Sequence, residues 1–326
     1  MFIAGAGRGM LFLYSNSFDT TVDLLILKLG SEGVFRYNFD LWRDYKFEIS
    51  PEGFRFEDPA GRAATDANVT KFLWRKPSRS NEMFPGTKLS AEDAYSEKEL
   101  WYALCEVANL LWARRKVVLA EPFVDMRVGK LVQLQAARDF FDTPPYRMSV
   151  GVPFPAASKN EFVVKSLTSE FVGDDSDQAM LFTSRVDPSE LTLKAPWMLQ
   201  QYVAAERDVT VQVVRDRLFA FELDRSAFLD RTVDWRSLGV DELSERWRPH
   251  TLPLEMQESI FAFMRRLELH FGRIDFLYGE GRYHFLEINP NGQWAWLDAE
   301  GKHGLLNKVV REISPATPCV PIPRRA

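Results

Sequence analysis

The sequence has 326 residues, 46% of them hydrophobic and 27% charged, which is typical of folded globular proteins and long enough for two or three domains. Its formal net charge is −5, with 41 Lys and Arg against 46 Asp and Glu, so no basic excess indicates nucleic acid as a partner. No apolar run reaches the roughly 18 residues of a membrane span, and the start of the chain lacks the pattern of a secretory signal. With two cysteines and no disulfide framework, the composition is typical of a cytoplasmic protein.

Residues 1–120 alternate between apolar runs of strand length and helical patterns. Helices are predicted over Thr20–Leu29, which Gly30 ends, and over Ser90–Lys116, where apolar residues recur with helical spacing. This order predicts a small α/β domain with a partly parallel sheet and a boundary near residue 120. The predicted strands are Met10–Tyr14, Val34–Asn38, Lys46–Ile49, Phe54–Phe56 and Val69–Trp74.

The sequence pattern of residues 121–195 indicates a second domain. A helix is expected to begin near Gly129 and to end before Thr143, and Glu161–Leu167 has the pattern of a strand with a lysine inside it. The polar stretch Thr168–Gln178 that follows is typical of a mobile loop.

Residues 196–326 predict a third domain with antiparallel strands. Valine alternates with polar residues in Val209–Val213, which predicts a half-buried strand, and a long amphipathic helix covers Met256–Leu267. The other predicted strands are Trp197–Val203, Leu218–Leu223 and a hairpin of Arg273–Tyr278 and Tyr283–Ile288.

The segment Gly272–Gly292 (GRIDFLYGEGRYHFLEINPNG) carries the strongest chemical signal. Glu287 and Asn289 share one face of a predicted strand, and their oxygens are hard ligands of the kind that Mg²⁺ prefers. A two-residue turn would put Asp275 and Glu287 on opposite faces, whereas a three-residue loop would place them opposite each other on one face. The metal-site interpretation therefore predicts a three-residue loop in which Gly281 has a positive φ. The alternative is a group of solvated polar residues at a strand end.

Two lysines are candidates for binding an anion. Lys130 lies at a helix start, and Lys165 lies within an apolar strand, where a desolvated ammonium group benefits from an anionic partner. A nucleotide phosphate and a structural carboxylate are both candidates for that partner. The alternative for a strand lysine is a solvated face.

Two further segments have both a functional and a structural interpretation. Trp197–Arg207 (WMLQQYVAAER) is a strand with a polar exit, which can serve as a hinge that binds an adenine edge or can be an ordinary core strand. In the triplet Asp234-Trp235-Arg236, the arginine can form a fork on a phosphate or carboxylate. The alternative there is a surface loop with a packed tryptophan.

Taken in chain order, these segments resemble the ATP-grasp superfamily, and most closely the microviridin-type peptide ligases, also called graspetide synthetases. The resemblance covers nearly the whole chain and implies an α+β fold with an N-terminal pre-ATP-grasp α/β domain, a central domain and a C-terminal antiparallel-sheet domain that holds the metal site. The most specific match is GRIDFLYGEGRYHFLEINPNGQWAWL. The other matching segments are LFLYSNSFDTTVDLLILKL, VFRYNFD, FLWRKP, GKLVQLQAA, EFVVKSLT, WMLQQYVAAERDVTVQVV and VDWR.

The resemblance also implies ATP and Mg²⁺ as cofactors and assigns residues to them. In such an enzyme Arg236, next to Asp234 of the same motif, would face the γ-phosphate or an acyl-phosphate, and the loop Thr168–Gln178 would close over the phosphates. Lys130 and Lys165 would contact the α- and β-phosphates. The hinge would consist of Gln200, Gln201, Tyr202 and Val203 with Glu206 near the ribose, and the metal ligands would be Asp275, Glu287 and Asn289.

The implied activity is an ADP-forming ligation of a precursor peptide that has a leader and a core with acidic and hydroxyl residues. Asp or Glu side chains would be activated as acyl-phosphates and joined to Ser or Thr hydroxyls or Lys amines as ω-esters or ω-amides. Members of this family are often homodimers. Two alternatives are an ATP-grasp ligase acting on small molecules or a protein end, and a non-enzymatic nucleotide-binding module.

The sequence departs from the family pattern at three positions. Gly129 stands where asparagine is frequent, Gln201 where the hinge commonly has an acid, and Thr210 where the D-x-R-V pattern has arginine. Arg207, Arg215 and Arg225 are the candidates to replace that arginine.

Overall fold

The computed structural model describes residues 9–79, 88–154, 161–167, 171–172, 179–180, 182–238 and 243–322. Within these ranges the chain forms five β-sheets, the two largest having four and five strands. No helix in this part of the chain is long and apolar enough to cross a membrane.

The helices and strands are named here in chain order. The strands are β1 (Met10–Ser15), β2 (Val34–Asn38), β3 (Lys46–Ser50), β4 (Gly53–Glu57), β5 (Ala63–Thr65), β6 (Val69–Trp74), β7 (Tyr146–Ser149), β8 (Phe162–Lys165), β9 (Phe171–Val172), β10 (Ala179–Met180), β11 (Ser184–Val186), β12 (Trp197–Gln201), β13 (Arg207–Val214), β14 (Arg217–Asp224), β15 (Arg248–Pro249), β16 (Phe271–Gly279) and β17 (Arg282–Asn289). The helices are α1 (Thr20–Leu29), α2 (Ala91–Ala113), α3 (Val124–Arg127), α4 (Lys130–Ala137), α5 (Leu254–Arg266) and α6 (Leu305–Ile313).

The N-terminal sheet is parallel, in the order β2-β1-β6, as the alternating pattern predicted. Helix α1 connects β1 with β2, and its first turn is fixed by Asp19, whose side chain accepts hydrogen bonds from the amides of Thr21 and Val22. A small antiparallel sheet, β3-β4-β5, adds Phe56, whose ring centroid lies 4.9 Å from that of Phe12. The predicted helix Ser90–Lys116 is confirmed as α2, which Ser90 caps.

The middle of the chain forms an antiparallel sheet in the order β11-β8-β12-β7. Strand β12 pairs with β7 on one side and with β8 on the other, so the predicted strands Glu161–Leu167 and Trp197–Val203 are neighbours. Most of the predicted loop Thr168–Gln178 lies outside the described residues. Its central residues, Phe171–Val172, form β9, which pairs with β10.

The C-terminal sheet is fully antiparallel, in the order β15-β14-β13-β16-β17. The expectation that Val209–Val213 is half-buried was wrong. Its valines lie in the core, but Thr210 and Gln212 on the other face are also buried, with 2% and 0% exposed. The reason is position, because β13 is the central strand and Thr210 faces the cleft described below.

The hairpin β16–β17 differs from the prediction in its loop. Only two residues, Glu280 and Gly281, connect the strands, with φ of 50° and 74°, so the expected three-residue loop was wrong and the positive φ of Gly281 is confirmed. The register shifts between Asp275 and Phe276: Phe276 pairs with Phe285, but Asp275 pairs with Glu287. Leu286 is therefore an extra residue that forms a β-bulge, and the bulge restores the pairing that a three-residue loop would have given.

Candidate active site

A cleft of about 890 Å³ has walls from both the four-stranded and the five-stranded sheet. Strands β8 and β12 contribute from the first sheet, and β13, β16 and β17 from the second. All residues predicted for the site line this cleft except Glu206 and Asn289. Those that line it are Lys130, Lys165, Gln200, Gln201, Tyr202, Val203, Asp234, Arg236, Asp275 and Glu287.

The predicted metal ligands lie side by side on the hairpin. Asp275 and Glu287 form a cross-strand pair, and because of the bulge both Leu286 and Glu287 reach the cleft. Asn289 does not line the cleft, but its Nδ2 lies 3.2 Å from Glu287 Oε1 and 3.4 Å from Asp275 Oδ2. Asn289 thus contacts both Glu287, which the sequence placed on the same face, and Asp275, whose face the sequence left open.

Three cations surround the carboxylate of Glu287. Lys130 Nζ lies 3.1 Å from one of its oxygens and Arg236 Nη1 lies 3.6 Å from the other. Burial acts to raise the pKa of Glu287, but Lys130, Arg236 and Lys165 outweigh it and hold that pKa well below its usual range. Burial also disfavours the charged form of Lys165, and for an ammonium group this lowers the pKa, here to about 8, although the negative charge of Glu287 opposes the shift. Of the two partners that the sequence left open for these lysines, the structure shows a carboxylate, that of Glu287.

Arg236 is held by the acid two residues before it. It lies in a short helical turn, and its Nε and Nη2 each donate to one oxygen of Asp234 at 2.8 Å, a bidentate fork. Asp234 also accepts from the amide of Thr183 at 3.2 Å. Burial acts to lower the pKa of Arg236, but Asp234 outweighs it and raises that pKa, so the guanidinium stays charged in the cleft.

The predicted hinge residues lie where β12 ends. The amides of Gln201 and Tyr202 already donate to the carbonyl oxygens of Pro145 and Glu161, each at 2.8 Å. Val203, the next residue, also lines the cleft. Glu206 is exposed and lies outside the lining, and its amide donates to the carbonyl of Tyr278 at 2.9 Å.

Two arginines of the cleft were missed or left open by the sequence. Arg273 was missed: its Nε and Nη2 bind Asp275 at 3.2 and 3.0 Å, and its spacing of two residues from Asp275 was the available signal. Arg225, one of three candidates to replace an arginine at position 210, lines the cleft and donates to Asp208 at 2.8 Å. Burial raises the pKa of Asp208 to about 6, against the effect of Arg225.

The other two candidates for that replacement lie elsewhere. Arg207 binds Glu222 at 3.0 Å, and Arg215 binds Glu312 at 2.9 Å. Thr210 itself is a partner of Asp275, because its Oγ1 donates a hydrogen bond to Asp275 Oδ1 at 2.7 Å. Gly129, another of the three departures, precedes α4 without a side-chain cap.

The donor set fits a Mg²⁺ ion that is bound together with phosphates. The described residues contain no group of three or more His, Cys, Asp or Glu side chains suited to a metal. Two facing carboxylates, with one amide beside them, instead match the pattern in which Mg²⁺ takes one or two carboxylates and completes its shell with phosphates and water. Turning the side-chain amide of Asn289 would present its oxygen, since the two ends of that group are nearly equal in shape.

Comparison with known proteins identifies the fold. No protein-family model and no curated protein matches the sequence. The chain is similar to a RiPP-associated ATP-grasp ligase from Chryseobacterium gregarium, solved with ADP and a leader and core peptide, with a TM-score of 0.77, 20% identity and coverage of 95% of this chain and 98% of that one. The chain has the ATP-grasp fold. The predicted fold class is thereby confirmed.

Two further solved structures share the ATP-grasp fold with this chain. Macrocyclase MdnC from Microcystis aeruginosa MRC, bound with precursor peptide MdnA, has a TM-score of 0.76 and 21% identity over 94% of this chain and 100% of its own. D-alanine–D-alanine ligase from Bacillus anthracis, complexed with ATP, has a TM-score of 0.51 and 12% identity over 94% of this chain and 97% of its own. At these identities the likeness establishes the fold alone.

Proposed function

We propose that this protein is an ADP-forming ATP-grasp ligase that closes rings in a ribosomally made precursor peptide. It would activate Asp or Glu side chains as acyl-phosphates and join them to Ser or Thr hydroxyls or Lys amines. The observation that carries the proposal is the arrangement around Glu287, where Lys130, Lys165 and Arg236 surround a carboxylate that faces Asp275. Alternating cations and carboxylates in one cleft suit a metal–triphosphate complex.

We assign a separate group of residues to each part of ATP. The amides of Gln201 and Tyr202 are engaged within the protein, so Val203 is the hinge residue that we assign to the adenine edge, with Gln200 beside it and Glu206 near the ribose. Lys130 and Lys165 would bind the α- and β-phosphates. Asp275, Glu287 and Asn289 would hold one or two Mg²⁺, which supply charge neutralisation to the phosphates. Bound phosphates would replace Glu287 as the anionic partner of the two lysines.

The reaction needs no protein nucleophile. A carboxylate oxygen of the peptide forms a bond to the γ-phosphorus while the bond to the β-phosphate oxygen breaks and ADP leaves. A hydroxyl or amine of the same peptide then bonds to the acyl carbon, phosphate leaves and the nucleophile loses its proton. Arg236, fixed by Asp234, is assigned to the charge on the transferring phosphoryl group, so positioning and electrostatics supply the catalysis.

The peptide substrate is supported by fold-level likeness rather than by a contact. The Chryseobacterium ligase was solved with a leader and a core peptide, and MdnC with its precursor peptide. We propose the same class of partner here, in a cytoplasmic enzyme that forms a homodimer. The division into parts 1–120, 121–195 and 196–326 belongs to the same proposal.

A second candidate is a carboxylate–amine ligase for a small molecule or a protein end. The shared fold of the Bacillus anthracis D-alanine–D-alanine ligase favours keeping it. Such an enzyme would use the same cleft, so only the product separates the two functions.

The test is intact-mass analysis of a candidate peptide encoded beside the gene, after incubation with this protein, ATP and Mg²⁺. Successive losses of one water per ring, matched by ADP release, are the expected result. A gain of one residue mass would support the second candidate, and an unchanged mass with every neighbouring peptide would overturn the macrocyclase. A reaction without ATP is the control.

A further inference from the structure

The buried guanidinium group of Arg75 links the N-terminal sheet to the segment that follows the predicted metal ligands, beside a hydrogen bond from Asn291 Nδ2 to the carbonyl oxygen of Trp74 at 3.2 Å. Arg75 follows β6 directly and is 3% exposed, and its Nε lies 3.4 Å from Asp19 Oδ2. Its Nη1 donates to the main-chain oxygen of Asn291 at 2.5 Å, and its Nη2 donates to Gln293 Oε1 at 2.7 Å. Arg75 thus binds both ends of the short segment that follows the last strand of the metal hairpin.

The contacts of Gln293 continue towards Asp275. Its side-chain oxygen accepts from Arg75 and also from the hydroxyl of Thr21, at 2.5 Å. Its main-chain oxygen accepts from Arg273 Nη1 at 2.6 Å, and Arg273 uses its other nitrogens for the fork on Asp275. The hydrogen bonds therefore run without a gap from Arg75 through Gln293 and Arg273 to Asp275.

Residues 291–293 pack closely against Asn289, the predicted third metal ligand. A Cβ at Gly292 would lie 2.8 Å from the Cβ of Asn289 and 3.7 Å from that of Arg273, so only glycine fits there. A shift of residues 291–293 would consequently move Asn289 and Arg273 with it.

We propose that Arg75 and Gln293 are positioning residues that hold Asp275 in the orientation required for Mg²⁺, acting through Arg273. The inference rests on the proposed function, since it takes Asp275 as a metal ligand. The hydrogen-bond partners of a metal ligand set its orientation, and losing one costs about 10–100-fold in metal affinity. The N-terminal sheet thereby becomes part of the metal site, although none of its strands lines the cleft within the described residues.

The test is the effect of Mg²⁺ on nucleotide affinity, measured by titrating the full chain with a fluorescent ADP analogue with and without Mg²⁺. Arg75→Met should lower the gain in affinity from Mg²⁺ by about tenfold and leave the Mg²⁺-free affinity unchanged. Because Arg75 is buried and its loss can unfold the chain, Gln293→Ala is the second variant. Gln293 is exposed, so this variant should fold and show a smaller loss in the same direction.

Two matched variants separate positioning from structure. Gln293→Glu keeps an acceptor for both Arg75 and Thr21, so it should retain the wild-type Mg²⁺ effect. Lys71→Met removes a buried cation within β6. Lys71 binds the carbonyl of Glu312 and the hydroxyl of Thr317, neither of which lines the cleft, so this variant should also leave the Mg²⁺ effect unchanged.

Each remaining outcome overturns a defined statement. An unchanged Mg²⁺ effect in folded Gln293→Ala, or an equal loss with and without Mg²⁺, would overturn the positioning role alone. A wild-type protein that binds the nucleotide with no Mg²⁺ effect would overturn the metal assignment of the proposed function, and the positioning role with it.

Discussion

Asp275 stands directly opposite Glu287 in the β16–β17 hairpin, although only two residues connect the strands. In a regular hairpin with that loop the two carboxylates would face opposite sides of the sheet, because side chains alternate along a strand. The bulge at Leu286 changes the alternation on one strand only. Two carboxylates are thereby brought to one side of the sheet, where Lys130 and Arg236 form ion pairs with Glu287 and Arg273 forms one with Asp275.

Glu287→Gln should separate nucleotide binding from metal-dependent turnover. The variant loses a metal ligand, so Mg²⁺-dependent ADP formation should fall below detection. It also releases Lys130, Lys165 and Arg236 from a carboxylate, so Mg²⁺-free affinity for ADP should hold or rise. ADP release and nucleotide titration measure the two effects, and Glu258→Gln on the exposed side of α5 is the control. Unchanged turnover in Glu287→Gln would contradict the metal assignment.

Local patterns in the sequence predicted much of this site. The spacing of Glu287 and Asn289 and the burial of Lys165 depend on neighbours along one strand, and such relations follow from periodicity. The bulge could not be predicted, because it depends on how Phe276 and Phe285 pair in the core while Asp275 and Glu287 pair beside them. The local pattern left the pairing of Asp275 with Glu287 open, and the three-residue loop that the metal-site interpretation required was wrong.

Partners from distant strands were the hardest to predict. Arg225 reaches Asp208 from the end of a neighbouring strand, 17 residues later, and nothing in the local pattern distinguished it from Arg207 or Arg215. The burial of both faces of β13 from Val209 onward was likewise outside the pattern, because alternating valines describe one face only. Tertiary contacts, not local preference, decided these features.

Lys165 gives the site a pH dependence. Burial lowers its pKa to about 8, so the free protein loses this proton above pH 8, while bound phosphate favours the charged form. Nucleotide affinity should therefore fall as the pH rises from 7 to 9.5, by at most about tenfold per unit above pH 8. Lys165→Arg stays charged over this range and should flatten the profile. A wild-type profile as flat as that of Lys165→Arg would contradict the assignment.

Lys165 should also make the stability of the fold depend on pH, but stability should rise with pH where nucleotide affinity falls. Its pKa is lower in the folded than in the unfolded chain, where it is about 10.4, so between pH 8 and 10.4 the unfolded chain binds more protons. The contribution of Lys165 to the free energy of unfolding should consequently rise with pH in this window. Denaturant unfolding of wild type and Lys165→Met at pH 7.5 and pH 9.5 measures this contribution. The free energy of unfolding of wild type, relative to that of the variant, should be higher at pH 9.5 than at pH 7.5. An equal difference at the two pH values would contradict a lowered pKa of Lys165.

Arg236→Lys should reduce turnover more than nucleotide binding. The guanidinium uses two nitrogens for Asp234 and lies 3.6 Å from Glu287 through the third, a fork that one ammonium group cannot reproduce. If Arg236 acts on the transferring phosphoryl group, kcat for ADP release should fall by about 10²-fold with little change in KM for ATP. Arg217→Lys, on an exposed residue of β14, is the control. A rise in KM at constant kcat would instead assign Arg236 to ground-state binding.

The two-residue turn of the hairpin can be tested through stability alone. Glu280 and Gly281 both have positive φ, the requirement of a type I′ turn, and asparagine tolerates that conformation better than glutamate. Glu280→Asn should raise the free energy of unfolding by about 0.5 kcal/mol, and Gly281→Ala should lower it by about 1 kcal/mol. A Cβ at Gly281 would meet no atom within 4 Å, so the loss in Gly281→Ala would reflect backbone strain and not a clash.

Denaturant unfolding of these two variants beside wild type measures both shifts, and ADP formation should stay unchanged because the turn lies four pairs beyond the Asp275–Glu287 pair. A three-residue loop would not require positive φ at residue 280, so a destabilised Glu280→Asn variant would favour that loop. That result would also argue against the bulge at Leu286. Asp275 and Glu287 reach the same face either through a three-residue loop or through a two-residue loop with a bulge, and both together would separate them again.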